Sequence, residues 1–326
     1  MATTAPLVSV VIPMYNAADR IQATLQSVLA QSFRNFEIIL VDDGSGDSTQ
    51  SVARDVLATT DIPIMILAQP NQGPSKARNT GWRAASAPWV QFLDDDDALD
   101  SDKLQVQITG LAGLEQMPAL IFSCWAGRSF SSTASKQVIE IHNPYMTKYP
   151  FESLIDPTNF IPFGSSLVSK AWLEKVSGFD ERMTMIEDVD LQIRLLKVGA
   201  QFVAVSSHRP LFFYNNRPGS LSASRQRDFV EGVARNALCA LDAAGAIGQS
   251  TQLMRQRVCQ CLVHALLYYA PYDRSRFDYF YETIRKIDAS FTRNPGRIFT
   301  LISAVIGWRR TELFAARARS WRARFS

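Results

Sequence analysis

The sequence predicts an α/β fold, a mostly parallel sheet flanked by helices with a helical C-terminal extension. Short β-branched runs alternate with longer amphipathic runs through the first half. Strand–helix alternation with short connections builds a parallel sheet covered on both faces. Acidic clusters fall directly after apolar runs, where such sheets bind ligands, beyond the carboxyl ends of their strands. Past Gln226 the pattern turns almost wholly helical. At 326 residues, 47% hydrophobic and 20% charged, the chain is long enough to bury a core around a cleft. That balance, with 16 Gly, 15 Pro and 4 Cys, excludes disordered, collagen-like and disulfide-scaffold classes.

Residues 7–12 (LVSVVI) read as a buried strand closed by Pro13, after which Ile21, Leu25, Val28 and Leu29 recur at helical spacing. Residues 36–41 make a second strand and 45–57 a helix, with Ser45 or Asp47 as its cap. A third strand at 62–67, a helix at 75–85 and a fourth strand at 89–93 follow. The stretch 118–224 is more mixed. It is strand-like at 119–124, 138–141, 165–168, 202–205 and 211–214, with a strong helix at 189–198. Breaks at 245–248, Pro271 and 295–296 divide the later helices. A soft boundary gives two expected domains, 1–225 and 226–326.

The net charge of +3 is too balanced to point to nucleic acid as a partner. Its distribution is uneven: residues 309–326 hold six arginines against one acid, Glu312, a local +5 that leaves the rest at −2. Phe314, Ala318, Trp321 and Phe325 form an apolar stripe there, flanked by arginines. A basic amphipathic helix of this kind reads as a peripheral membrane contact, or as a helix packed on its own domain or on another copy in a homo-oligomer. Cys259 and Cys261 lack the spacing of a zinc knuckle and read, with Cys124 and Cys239, as buried thiols of a reducing compartment. No signal-peptide pattern opens the sequence and no run of 18 apolar residues occurs. The expected location is the cytoplasm, extending to the inner face of the cell membrane.

Three acidic clusters stand out. Asp42-Asp43-Gly44-Ser45-Gly46-Asp47 follows the second strand, but Thr49 occupies the third glycine position of a dinucleotide fingerprint. Carboxylates at that strand end suit a base N–H or ribose hydroxyls, and a capped helical turn explains them equally well. In Asp94-Asp95-Asp96-Asp97, alternate side chains of an extended segment point the same way, so Asp94 and Asp96 can converge. Their hard oxygens suit Mg²⁺ or Mn²⁺, with substrate phosphates completing the shell. Glu187-Asp188-Val189-Asp190 opens a helix, where the macrodipole favours acids in any case.

Taken in order, Val10-Val11-Ile12-Pro13-Met14-Tyr15-Asn16, Asp42-Asp43-Gly44-Ser45, Asn71-Gln72-Gly73 with Ala77-Arg78-Asn79, Leu93-Asp94-Asp95-Asp96-Asp97, Gly178-Phe179-Asp180-Glu181 and Glu187-Asp188 resemble the family 2 glycosyltransferases of GT-A fold over about residues 6–222. The resemblance implies a transferase of hexosyl or N-acetylhexosaminyl type, using a nucleotide-sugar donor, a UDP-sugar first, and a glycan or lipid-linked acceptor in cell-surface polysaccharide or glycoconjugate synthesis. It implies a base pocket of Pro13, Tyr15 and Asp43, supported by Asp42, with Asn71 and Arg78 reaching the nucleoside and phosphate. Asp96 is then the firmer metal ligand, and Asp94 binds metal, ribose or donor sugar. Asp188 becomes the catalytic base of an inverting reaction, with Glu187 shaping the acceptor site. Arg217 and Ser220 belong to a segment closing over the diphosphate. Asp95 stands where relatives often carry a small residue, which leaves open which aspartates bind. The chain lacks the QxxRW-type signature of processive synthases, so transfer of one sugar per encounter is expected. A sugar nucleotidyltransferase would need a Gly-rich basic loop after the first strand, and a silent binding protein of the same fold would have lost Asp96 or Asp188.

Overall fold

The computed structural model describes residues 5–131, 136–217, 225–291, 308–313 and 315. Ser220, and Phe314, Ala318, Trp321 and Phe325 of the basic stripe, lie outside them. The chain divides into two compact units, one of Met1–Pro150 with Asn159–Ser224, the other of Phe151–Thr158 with Arg225–Ser326.

The first unit begins β1 (Val8–Met14), α1 (Ile21–Leu29), β2 (Phe36–Asp42), α2 (Thr49–Leu57), β3 (Ile64–Ala68), α3 (Pro74–Ala84) and β4 (Trp89–Phe92). It continues through β5 (Ala98–Leu99), α4 (Lys103–Leu111), β6 (Leu120–Ser123), β7 (Trp125–Ser131) and β8 (Lys136–His142). After α5 (Pro150–Leu154) come β9 (Ser166–Ser169), α6 (Lys170–Val176), α7 (Glu187–Lys197), β10 (Phe202–Val205) and β11 (Phe212–Asn215). Seven strands form one sheet in the order β10-β6-β9-β4-β1-β2-β3, antiparallel only where β9 meets β4 and β6. A smaller sheet runs β5-β11-β7-β8.

Every residue of β1 is buried because helices cover both sheet faces. Val8, Val10 and Ile12 meet Ile21, Leu25 and Val28 of α1 in one core layer. On the other face α3 comes so close that a Cβ on Gly81 would stand 2.3 Å from Val11 Cγ1.

Pro13 does not close β1, which runs on to Met14 in register with Asp42. Leu93 N–H donates to Val11 O and Asp43 N–H to Met14 O, so odd residues of β1 face β4 and even ones face β2. Pairing with β4 ends at Val11, so the missing N–H of Pro13 falls beside no partner strand, where proline is tolerated. Helix α2 likewise starts at Thr49 rather than 45. Asp47 accepts from Thr49 N–H at 3.0 Å, whereas Ser45 Oγ accepts from Asn16 N–H. Strands β5 and β7 and helices α4 and α6 were not anticipated. Strand β7 has no β-branched residue and carries Gly127, Ser129 and Ser131, and β5 is two residues long.

The helical unit contains α8 (Gln226–Ala246), α9 (Gln252–Tyr269) and α10 (Arg274–Ile287). Thr251 caps α9 by accepting from Met254 N–H, and Asp273 caps α10 by accepting from Arg276 N–H. A single boundary at 225 misses Phe151–Thr158, which belongs here. Arg257 pairs with Asp156 at 2.5 Å and donates to Glu152 O, and Cys261 Sγ donates to Ile155 O. Of the basic tail, Arg309 pairs with Asp278 at 2.6 Å, and Trp308 Nε1 donates to buried Glu312. Cys124, Cys259 and Cys261 are buried free thiols, and burial pushes Cys261 up to about 11. Among the described residues no helix is long and apolar enough to cross a membrane.

Candidate active site

The carboxyl ends of β1 to β4 lie on one side of the sheet, and the loops leaving them interlock. Asn16, at φ +46°, donates its N–H to Ser45 Oγ, and its Oδ1 accepts from Gly46 N–H at 2.8 Å. Gly44 holds φ +78° with a Cβ position only 2.9 Å from Asn71 N, so this turn requires glycine. Asp42 accepts from Ser45 N–H and Gln50 Nε2 and so supports the turn. Buried Asp43 accepts from Gln69 Nε2 at 2.7 Å and from the N–H groups of Gln72 and Gly73. A carboxylate has about four acceptor positions, so Asp43 keeps capacity for one more donor. Pro13 is buried and Asn71 exposed. Tyr15 is 46% exposed, an open ring at the mouth of the group.

The four consecutive aspartates take four different environments. Asp94 is 44% exposed and pairs with Arg78 at 2.6 Å. Asp95 turns the other way onto Arg20, which binds both its oxygens, at 2.8 and 3.2 Å, and also donates to Tyr15 O and Asn16 O. Asp96 accepts from Arg217 Nε at 2.7 Å. Asp97 is buried, accepts from Asn215 N–H and does not reach solvent. Burial, then the charge of Asp94, raises the Asp96 carboxyl against the pull of Arg217. Burial and its acidic neighbours push Asp97 well up. The loop is a turn at 95–96, closed by Asp97 N–H on Asp94 O, and not the extended segment that alternation assumes. Asp94 and Asp96 feel each other's charge across it, while Asp95 is set apart as the partner of Arg20.

Arg78 joins this loop to the start of α7. Its two amino groups reach Asp94 and Glu187, each at 2.6 Å. Burial alone would depress the guanidinium, but the two carboxylates carry it above its usual range. Asn79 next to it donates to Phe179 O and accepts from Phe179 N–H at 2.9 Å, which pins the 178–181 turn. Gly178 at φ +69° leaves no room for a Cβ beside Asn79 and Trp82. Ile186, a β-branched residue, is held at φ +59° immediately before the helix, a strained conformation of the kind that collects at functional sites. Glu187 is thus neutralised. Half-buried Asp188 accepts only from Val189 N–H at 2.9 Å and has no ion pair among the described residues. Burial, then the charge of Glu187, pushes its carboxyl up to about 7.

Sequence reading missed Arg20, Gln69, Asp97 and Asn215. The first had a signal, since an aspartate in place of a small residue at 95 calls for a cation. The donor set suits a hard divalent cation: Asp94 and Asp96 supply carboxylate oxygens in a cluster carrying excess negative charge. No group of three or more protein ligands occurs among the described residues. Asp94 and Asp96, now paired with Arg78 and Arg217, are the residues that would hold Mg²⁺ or Mn²⁺, with phosphates and water as the remaining ligands.

The family model for glycosyl transferase family 2 matches residues 9–176. The amylovoran biosynthesis glycosyltransferase AmsB of Erwinia amylovora is 31% identical over 211 residues, 64% of this chain and 69% of that protein. An uncharacterised glycosyltransferase of Haemophilus influenzae is 37% identical over 103 residues, 32% of this chain; the match spans 41% of that relative's length. Among solved structures, S. aureus TarS 1–349 in complex with UDP-GlcNAc superposes with a TM-score of 0.64 at 19% identity, covering 97% of this chain and 91% of that one. The match covers β1 to α6 and carries the base-side turns and the aspartate loop on the same sheet, so the chain belongs to glycosyl transferase family 2.

Proposed function

We propose that this chain is an inverting glycosyltransferase that moves one sugar from a nucleotide-diphosphate donor to a hydroxyl of a glycan or lipid-linked acceptor in polysaccharide synthesis. One observation carries the reading: Arg78 bridges Asp94 and Glu187, so the aspartate loop and the first turn of α7 share one site. There Asp188 is the acid without a cation, poised near neutral pH to accept a proton. Tyr15 offers its ring to a nucleobase and Asp43 its remaining acceptor capacity to a base N–H. UDP is the first choice of nucleotide, supported by the UDP-GlcNAc bound to TarS. The name of AmsB supports a polysaccharide product.

Asp96, with Asp94, would hold Mn²⁺ or Mg²⁺, which when bound neutralises charge on the departing diphosphate. Arg217, which pairs with Asp96 at 2.7 Å, would supply fixed positive charge as the donor bond lengthens. Asp188 takes the acceptor proton from the opposite side, so attack inverts the anomeric centre. Arg20 locks the base-side turn to the aspartate loop through Asp95, so nucleobase and diphosphate are positioned by one rigid piece.

Thermal shift with UDP, GDP and dTDP, each with and without Mn²⁺, identifies the nucleotide. Asp188→Asn is expected to retain UDP–Mn²⁺ binding and to lose transfer by about 10²–10⁴-fold, whereas Asp96→Ala loses the Mn²⁺-dependent part of binding. Unaltered turnover in Asp188→Asn removes the base assignment.

A further inference from the structure

The small sheet has one face in the core, where Trp125, Phe212 and Tyr214 pack; its other face is covered at Ala126 and opens toward β8. By strand alternation the open face carries Arg128 of β7, Phe213 and Asn215 of β11, and Ile139 and Ile141 of β8. Ile139 and Ile141 are 54% and 58% exposed. Arg128 lies in register with Asn215, whose side chain donates to Asp96 O at 2.6 Å. Asn216 N–H donates to Arg128 O, so β7 is tied to the segment that leads to Arg217. Arg128 is therefore a cross-strand neighbour of the aspartate loop.

Its surroundings differ from those of every other arginine in the site. Arg20, Arg78 and Arg217 each sit on a carboxylate. The Arg128 guanidinium carbon instead stands over the Phe213 ring, 3.6 Å from its centroid, and its Nε is buried with no hydrogen-bond partner among the described residues. Glu140, the acid nearest in register, pairs with Gly127 and so points to the other face. Burial lowers the Arg128 pKa, with no acid among the described residues to raise it again. A buried donor without a partner destabilises a fold, and a charge held this way is expected where a ligand supplies the missing anion.

We propose that Arg128 is an anion-binding residue that takes phosphate oxygens of a substrate on the open face of the small sheet. Phe213 holds the guanidinium in place from one side, which leaves its N–H groups to take phosphate oxygens. The phosphate belongs either to the donor diphosphate or to an acceptor that carries one. The identity of these substrates rests on the glycosyltransferase reading.

The test uses the full chain with Arg128→Met, which keeps the apolar stack on Phe213, and Arg128→Lys, which keeps the charge without the fork. Isothermal titration measures UDP with Mn²⁺, then inorganic phosphate added to the UDP–Mn²⁺ complex. For an acceptor phosphate, the phosphate affinity falls about tenfold or more in Arg128→Met, Arg128→Lys recovers part of it, and UDP affinity holds. For the donor diphosphate, UDP affinity falls by that factor instead. Both affinities within twofold of wild type in Arg128→Met overturn the proposal while leaving the functional reading intact. Wild-type protein that takes up neither UDP nor phosphate overturns both. Arg128→Met is also expected to melt no lower than wild type, because it removes an uncompensated charge.

Discussion

Glu187 and Asp188 are adjacent acids with opposite fates, and a single guanidinium decides between them. Arg78 neutralises the first, and the second is left to burial and to its neighbour's charge, near 7. If Asp188 is the base, kcat/KM rises with pH along an acid limb with an apparent pKa about 7, and a limb below 5 counts against it. The same shift has a consequence for stability. A carboxyl raised above its unfolded value favours the fold while protonated and ceases to do so as pH climbs through 7. The loss builds as pH rises from the ordinary aspartate range to about 7, so Asp188→Asn is expected to raise the melting temperature most at pH 8, with a gain that shrinks on acidification and vanishes only toward about pH 4. At this scale the sequence was legible where chemistry sits in neighbouring letters. The aspartate run itself stands in plain view, whereas Arg20 meets Asp95 across 75 positions and Asn215 meets Asp97 across 118, separations that no local pattern encodes.

Helix α3 and strand β1 touch through a residue with no side chain. An alanine at Gly81 would press on Val11 Cγ1, and beyond it on Val41 Cγ2 at 3.2 Å, in a core with no slack. Gly81→Ala is expected to destabilise the chain by about 1–3 kcal/mol, measured by urea denaturation, and to lower nucleotide affinity because Arg78 and Asn79 ride on the same helix. The elements of the first half were readable because the runs of β1, β2 and β4 are almost wholly buried and α1 carries a clear apolar stripe, while the half-exposed edge strand β3 was read from its apolar letters alone. In the small sheet β8 and β11 were readable at 138–141 and 211–214, whereas β5 is too short and β7 too rich in small residues to show. The buried cluster of Lys103, Gln91 and Gln107 was equally hidden, since three polar letters on two elements give no sign that they meet in the core.

Over the whole molecule, charge is divided between a body at −2 and a tail at +5. If residues 309–326 meet a membrane, the chain cosediments with anionic vesicles, loses that binding on removal of 316–326, and releases as salt rises past about 0.15 M. Neutral vesicles serve as the control, and unchanged cosedimentation of the shortened chain sinks the idea. The division into units was visible in composition but its path was not. Residues Phe151–Thr158 leave the sheet unit, join the helices and give the chain back at Asn159. A ribosome therefore delivers this octapeptide roughly a hundred residues before the helix that carries Arg257. Until then Phe151, Leu154 and Ile155 have nowhere to hide, and Glu152 and Asp156 await their cation. A gene shortened after codon 225 would make that waiting state permanent, and its product should be a sticky, chaperone-dependent fragment rather than a free-standing catalyst.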